Sequence, residues 1–151
     1  MANIRLKKKY ASITDACVGK NAPFATLAQL ACFCAMHAFN KSITIPTSRT
    51  TGGQEVRDDV LETSTYADQI GMLALAHTKE PNILLEEEDS KIKRYKILED
   101  YANAGLELLK EKKDKNALDI NGMDTVLGIL REQTKDNLNE SLGTGIARGR
   151  F

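Results

Sequence analysis

Between positions 91 and 109 apolar residues recur at the three-and-four spacing of one helical face: Ile92, Tyr95, Leu98, Tyr101 with Ala102, Gly105 with Leu106, and Leu109. The pattern predicts one long helix. Its ends carry the matching charges, with Glu86, Glu87, Glu88 and Asp89 before it and Lys110, Lys112 and Lys113 at its close. Glu87 with Lys91 and Asp89 with Lys93 stand at the four-residue spacing of exposed ion pairs. Inside the stripe, Asn103 and Gly105 cost about 0.7 and about 1 kcal/mol of helix propensity relative to Ala. Tertiary contacts must therefore hold them. Asn103 is expected to bond neighbouring backbone, Gly105 to admit a crossing helix, and Tyr101 to anchor the core with its hydroxyl on a partner.

The same reading places the other elements. Residues 1–20 are basic and weakly amphipathic, with Ile4, Leu6, Tyr10, Ile13 and Val18 as anchors, and read as a basic arm or helix. Asn21-Ala22-Pro23 breaks the chain before a helix over 24–39, opened by a Thr26-x-x-Gln29 capping box and lined by Leu27, Leu30, Ala31, Cys34 and Ala38. Its small residues favour close helix packing. Residues 42–46 alternate β-branched side chains and stop at Pro46, which predicts one short extended segment. A polar loop over 47–53 leads to a short helix over 54–61 with Val56, Val60 and Leu61 inward, then to a helix over 66–77 capped through Thr65 and Asp68. A last helix is expected over 123–142, with Met123, Val126, Leu127, Leu130 and Leu138 as its stripe, followed by a flexible basic tail over 143–151. The organisation is thus a basic segment 1–20, a helical core 21–113, a C-terminal helix 114–142 and the tail. The fold class is mainly α: a single helical domain of five to six helices.

Composition narrows the function classes. With 42% hydrophobic residues the chain can bury a core, and with 5% aromatics and no Trp that core must be aliphatic and Ala-rich. Lys and Arg number 21, as do Asp and Glu, so no net field draws the protein to nucleic acid or membrane. An odd set of cysteines (Cys17, Cys32, Cys34) and no signal peptide predict free thiols and a cytoplasmic location. The apolar run 28–39 is too short to cross a bilayer.

One resemblance emerges from several segments together: Ile45-Pro46; Gln54-Glu55-Val56-Arg57-Asp58-Asp59-Val60; Leu73-Ala74-Leu75-Ala76 followed by Thr78, Pro81, Ile83 and Leu84; and Leu98-Glu99-Asp100-Tyr101-Ala102-Asn103-Ala104-Gly105-Leu106-Glu107-Leu108. Over residues 20–110 the chain resembles a small accessory family of bacterial DNA phosphorothioation (Dnd) clusters, which replace a non-bridging phosphate oxygen of DNA with sulfur. The resemblance implies a role in DNA modification or phage defence and supplies no catalytic residues. Residues 111–151 fall outside it and read as an addition.

Candidate chemistry is sparse. Cys32 and Cys34, two apart, point to nearly opposite sides of a helix, and only Cys34 shares a face with His37; structural zinc needs four well-placed ligands, so helix-packing thiols are the better reading. His37 and His77 have no partner that sequence can assign. Glu55, Asp58, Asp59 and Glu62 are the densest acids outside the long helix, which raises a metal-dependent nuclease, but they also fit the solvated face of a short helix. The glycines of 143–151 follow a helix, so they form neither a dinucleotide fingerprint nor a P-loop. Basic residues remain: Arg5, Lys7, Lys8, Lys9 and Lys20 at one end and Arg148 and Arg150 at the other. These predict contacts to the backbone of double-stranded DNA. The expectation is therefore a non-enzymatic, cofactor-free accessory protein that binds DNA through its basic termini. The alternative is an adaptor or oligomerisation subunit docking a larger defence protein or its own copies, and the nuclease stands third.

Overall fold

The computed structural model describes residues 3–43 and 53–147, with side chains described as far as residue 139. Strand β1 (Ile4–Leu6) pairs antiparallel with β2 (Gln54–Val56), placing Ile4 opposite Val56, Arg5 opposite Glu55 and Leu6 opposite Gln54. Alternation sends Ile4 and Leu6 into the core and Arg5 outward. Gly53, at φ +96°, lets the two segments meet: a Cβ there would lie 3.1 Å from the Lys8 amide and closer still to the Leu6 carbonyl. A 3-10 turn, Lys8–Tyr10, leads into α1 (Ala11–Cys17). Helix α2 (Leu27–Asn40) opens on the expected box, with the Gln29 amide donating to Thr26 Oγ1 at 3.3 Å. The return bond to Gln29 Oε1 comes from Ala25, at 2.9 Å. Then follow α3 (Asp58–Leu61), α4 (Ser64–Thr78), a 3-10 turn at Pro81–Leu84, α5 (Glu88–Asp114) and α6 (Met123–Ala147).

Helix α5 is the axis of the molecule. Six consecutive residues, Tyr101 to Leu106, are all buried. Since a turn holds 3.6 residues, such a run has neighbours on every side. On one side lies α2, and Gly105 is the contact point: a Cβ would sit 2.7 Å from Cys34 Cα and nearer to its carbonyl. On another side lies β1. There Asn103 Oδ1 accepts from the Lys7 amide at 2.8 Å, while its Nδ2 donates to the carbonyls of Arg5 and Glu99, both at 3.0 Å. Glu99 Oε2 accepts from the Arg5 amide at 2.8 Å. Two side chains of a helix thus take the place of a third strand along β1. On a third side α4 contributes His77, whose Nδ1 lies 2.8 Å from the Tyr101 hydroxyl; Phe39 of α2 meets the same ring edge-on at 5.6 Å.

The mainly helical class is therefore what the chain forms, with several local differences. Extended structure falls at residues 4–6 and 54–56. Of the segment expected at 42–46, Ser42 and Ile43 trail from the end of α2, and residues 44–46 lie outside the described ones. The stretch 54–61 divides into β2 and α3 because Gln54 to Val56 find a strand partner in β1, and Val60 turns outward. Helix α4 starts at Ser64 with Thr63 as its N-cap residue, and no side chain caps it. Lys91 pairs with Glu62 rather than with Glu87, the residue just before its own helix. Ile92 is exposed, so the core face of α5 begins at Tyr95. Helix α6 runs on to Ala147, into the stretch read as a tail.

Candidate functional site

The basic residues near the start of the chain do not form a free arm. Arg5 stands on the outward face of β1 with its Nε 3.7 Å from Glu55. Lys7 shares that strand face by spacing, and its own amide is fixed to Asn103. Lys9 reaches Glu107 at 3.9 Å and lies 5.1 Å over the Tyr10 ring. Lys7, Lys8 and Lys20 have no ion-pair partner among the described residues. Arg5, Lys7, Lys8 and Lys9 are brought together by strand and turn, whereas Lys20 lies beyond the far end of α1, a helix about 10 Å long at 1.5 Å per residue. Arg148 and Arg150 lie outside the described residues. Carboxylates of Glu55, Glu99 and Glu107 are interleaved with this cluster and screen it.

The four acids considered for metal chemistry go separate ways. Glu55 pairs with Arg5, Asp59 with Arg57 at 2.9 Å and Glu62 with Lys91, while Asp58 begins α3 with its amide bonded to Asn3 Oδ1 at 2.9 Å. Among the described residues no three His, Cys, Asp or Glu side chains are grouped so as to hold a metal ion. Cys17, Cys32 and Cys34 are buried free thiols. Burial pushes the Cys32 thiol up to about 11 and Cys34 higher still, which makes both poor nucleophiles. His77 is committed to Tyr101. His37 is buried, with Gln133 of α6 at 3.3 Å from its Nδ1 and no partner at Nε2; burial first, then nearby Lys112 and Lys41, hold its pKa below the ordinary value.

Two apolar surfaces stand out instead. The first belongs to α6 and the loop before it. The loop is built around Asp119, which is buried and accepts from the Asp124 amide at 3.3 Å, the Thr125 amide at 2.9 Å and the Thr125 hydroxyl at 2.5 Å. Burial disfavours its charge, but these bonds outweigh that and leave the carboxyl below its usual range. With Gln133 on His37 and Glu132 on Lys112 (2.9 Å), this cap sets the rotation of the helix. Val126 and Ile129 turn inward, while Met123, Leu127, Leu130 and Leu138 face solvent. Of the stripe read from the sequence, all but Val126 lies on the outward side. Leu118 and Ile120 in the loop are 92% and 83% exposed. Isolated exposed leucines are ordinary, but six large apolar side chains in one stretch of chain are not.

The second surface is a groove of about 820 Å³ between α4 and the start of α5. Its apolar lining comes from Ile70, Gly71, Met72, Leu75, Leu84 and Tyr95. Gly71 leaves room for Leu84, whose Cδ2 would lie 3.3 Å from a Cβ there. Met72 is 71% exposed. Sequence reasoning missed this groove. The available signal was the width of the apolar face of α4, on which Met72 and Leu75 extend beyond what one neighbouring helix covers.

The sequence matches a family model described as DNA sulphur modification system-associated protein 4 over residues 3–144. That span takes in β1 and nearly all of α6, so it extends the resemblance read over 20–110 and makes the last helix part of the family unit. No curated protein and no solved structure gives a match. Among the described residues no helix is long and apolar enough to cross a membrane.

Proposed function

This chain belongs to the DNA sulphur modification system-associated protein 4 family, and on that basis we propose that it is a non-enzymatic adaptor that docks a larger protein of the modification system. One observation carries this reading above the others: the outward apolar face of α6, continued by Leu118 and Ile120. Such a face is costly in water and is removed from it by a partner. The test is reconstitution of the full chain with the proteins of a DNA sulphur modification system. Leu127→Lys with Leu130→Lys should release the partner while leaving the chain folded, since both side chains already face solvent. Binding unchanged by that double substitution sinks the reading.

A second reading is contact with duplex DNA in an anti-phage role. It is favoured by Lys7, Lys8 and Lys20, which lack ion-pair partners among the described residues. Replacing Arg5, Lys7, Lys8 and Lys9 with Ala should weaken duplex binding and flatten its salt dependence. Absence of wild-type binding at low salt rules it out.

A further inference from the structure

We propose that the groove between α4 and α5 receives a segment of a partner protein that carries an apolar side chain beside Lys or Arg. The inference rests on the adaptor reading and adds a second surface to it, with a stated chemistry. The groove's wall is held in place before any partner arrives. Arg94 Nη1 donates to the carbonyls of Ile83 and Leu85, both at 2.8 Å, and Ser90 Oγ donates to the Asn82 carbonyl at 3.2 Å, so the 3-10 turn is tied to α5. A fixed wall spares the ordering cost of binding. Opposite it, Met72 offers an unbranched, polarisable side chain that fits itself to varied apolar anchors.

Charge selects the occupant. The rim carries three carboxylates, Glu62, Asp68 and Glu86, against two cations, Lys91 and Arg94. Lys91 is neutralised by Glu62, and Arg94 is turned onto backbone carbonyls. Asp68 and Glu86 have no ion-pair partner among the described residues. Arg94 keeps its charge, so three carboxylates against two cations leave the rim at a net −1, which disfavours a phosphate backbone and favours a basic segment. An apolar floor with an acidic rim is the arrangement that takes an apolar anchor flanked by cations.

The test uses the full chain and overlapping labelled peptides that tile the proteins of a DNA sulphur modification system, read by fluorescence anisotropy. Peptides with Leu, Ile, Phe or Met next to Lys or Arg should bind. Asp68→Lys with Glu86→Lys should weaken them by about tenfold or more, the reversal of two complementary rim charges. Met72→Ser, at an exposed position, should weaken them as well, since it removes apolar contact without adding charge. No peptide binding, preference for acidic peptides, binding indifferent to these substitutions, or displacement by a duplex oligonucleotide would each overturn the proposal. Partner capture that survives the groove substitutions but is lost with Leu127→Lys and Leu130→Lys overturns the groove alone. Capture indifferent to the α6 pair and lost with the groove pair overturns the α6 reading and keeps the groove.

Discussion

Gly105 of α5 rests against the main chain of Cys34 of α2, with no room for even a methyl group between the two helices. The propensity that Gly gives up is returned as a close crossing in a core made of Ala28, Ala31, Ala35, Ala102 and Ala104.

Gly105→Ala should therefore destabilise the fold by about 1–3 kcal/mol, as overpacking does, although Ala is the better helix former. Gly128 of α6 is the matched control, because a Cβ there meets nothing within 4 Å. Gly128→Ala should stabilise by about 0.5–1 kcal/mol. Urea unfolding of both variants should give opposite signs; equal signs would show that the crossing is not tight.

Asn103→Ala would strip the Lys7 amide and the Arg5 carbonyl of their partners in a buried site. Each orphaned group costs about 1–3 kcal/mol, and the melting temperature should fall accordingly. Asn103→Asp should be worse at neutral pH, since a carboxylate would face two carbonyls in place of the amide donor, and part of the loss should return in acid. Asn103→Asp as stable as the natural chain would mean that β1 does not depend on this side chain.

Acid should loosen α6 through His37. Its pKa is lowered in the folded chain, so the neutral ring is the form that the fold favours. That contribution is fully present above the unfolded value of about 6.5 and is lost as pH falls through the lower folded value. His37→Phe should flatten the stability profile across that window. A profile identical to that of the natural chain would exclude His37 as the titrating group.

Asp119→Ala should remove the cap of α6, at about 0.5–2 kcal/mol. Because the carboxyl is held below its usual range, its contribution is present above that range and disappears as pH drops through the lowered value. Hydrogen exchange should show the loss first in the amides of Asp124 and Thr125. Unchanged protection there would assign the cap elsewhere.

Much of the fold was legible because the chain is helical and local. The 91–109 stripe, the Thr26 box and the roles of Tyr101, Asn103 and Gly105 follow from spacing and propensity. Strand β1 was not legible, since three residues give no period and the partners of β1 lie at Gln54–Val56, Glu99 and Asn103. The rotation of α6 was hidden for another reason. Its apolar residues span more than one face, and only Asp119, Gln133 and Glu132, each bonded through space, decide which face turns inward. Of the candidate sites, the basic residues were visible as a list, but the carboxylates set among them were not.

The pairing of Asn103 with β1 also fixes an order of events during synthesis. The Lys7 amide waits for an acceptor 96 positions further along the chain. Two short strands alone are not stable in water. Residues 4–10 therefore settle late, and Ile4, Leu6 and Tyr10 lack their full cover until α5 has been made. A nascent chain halted before Glu88 should accordingly be open to protease around Ile4 to Tyr10, and one halted after α5 has emerged should not.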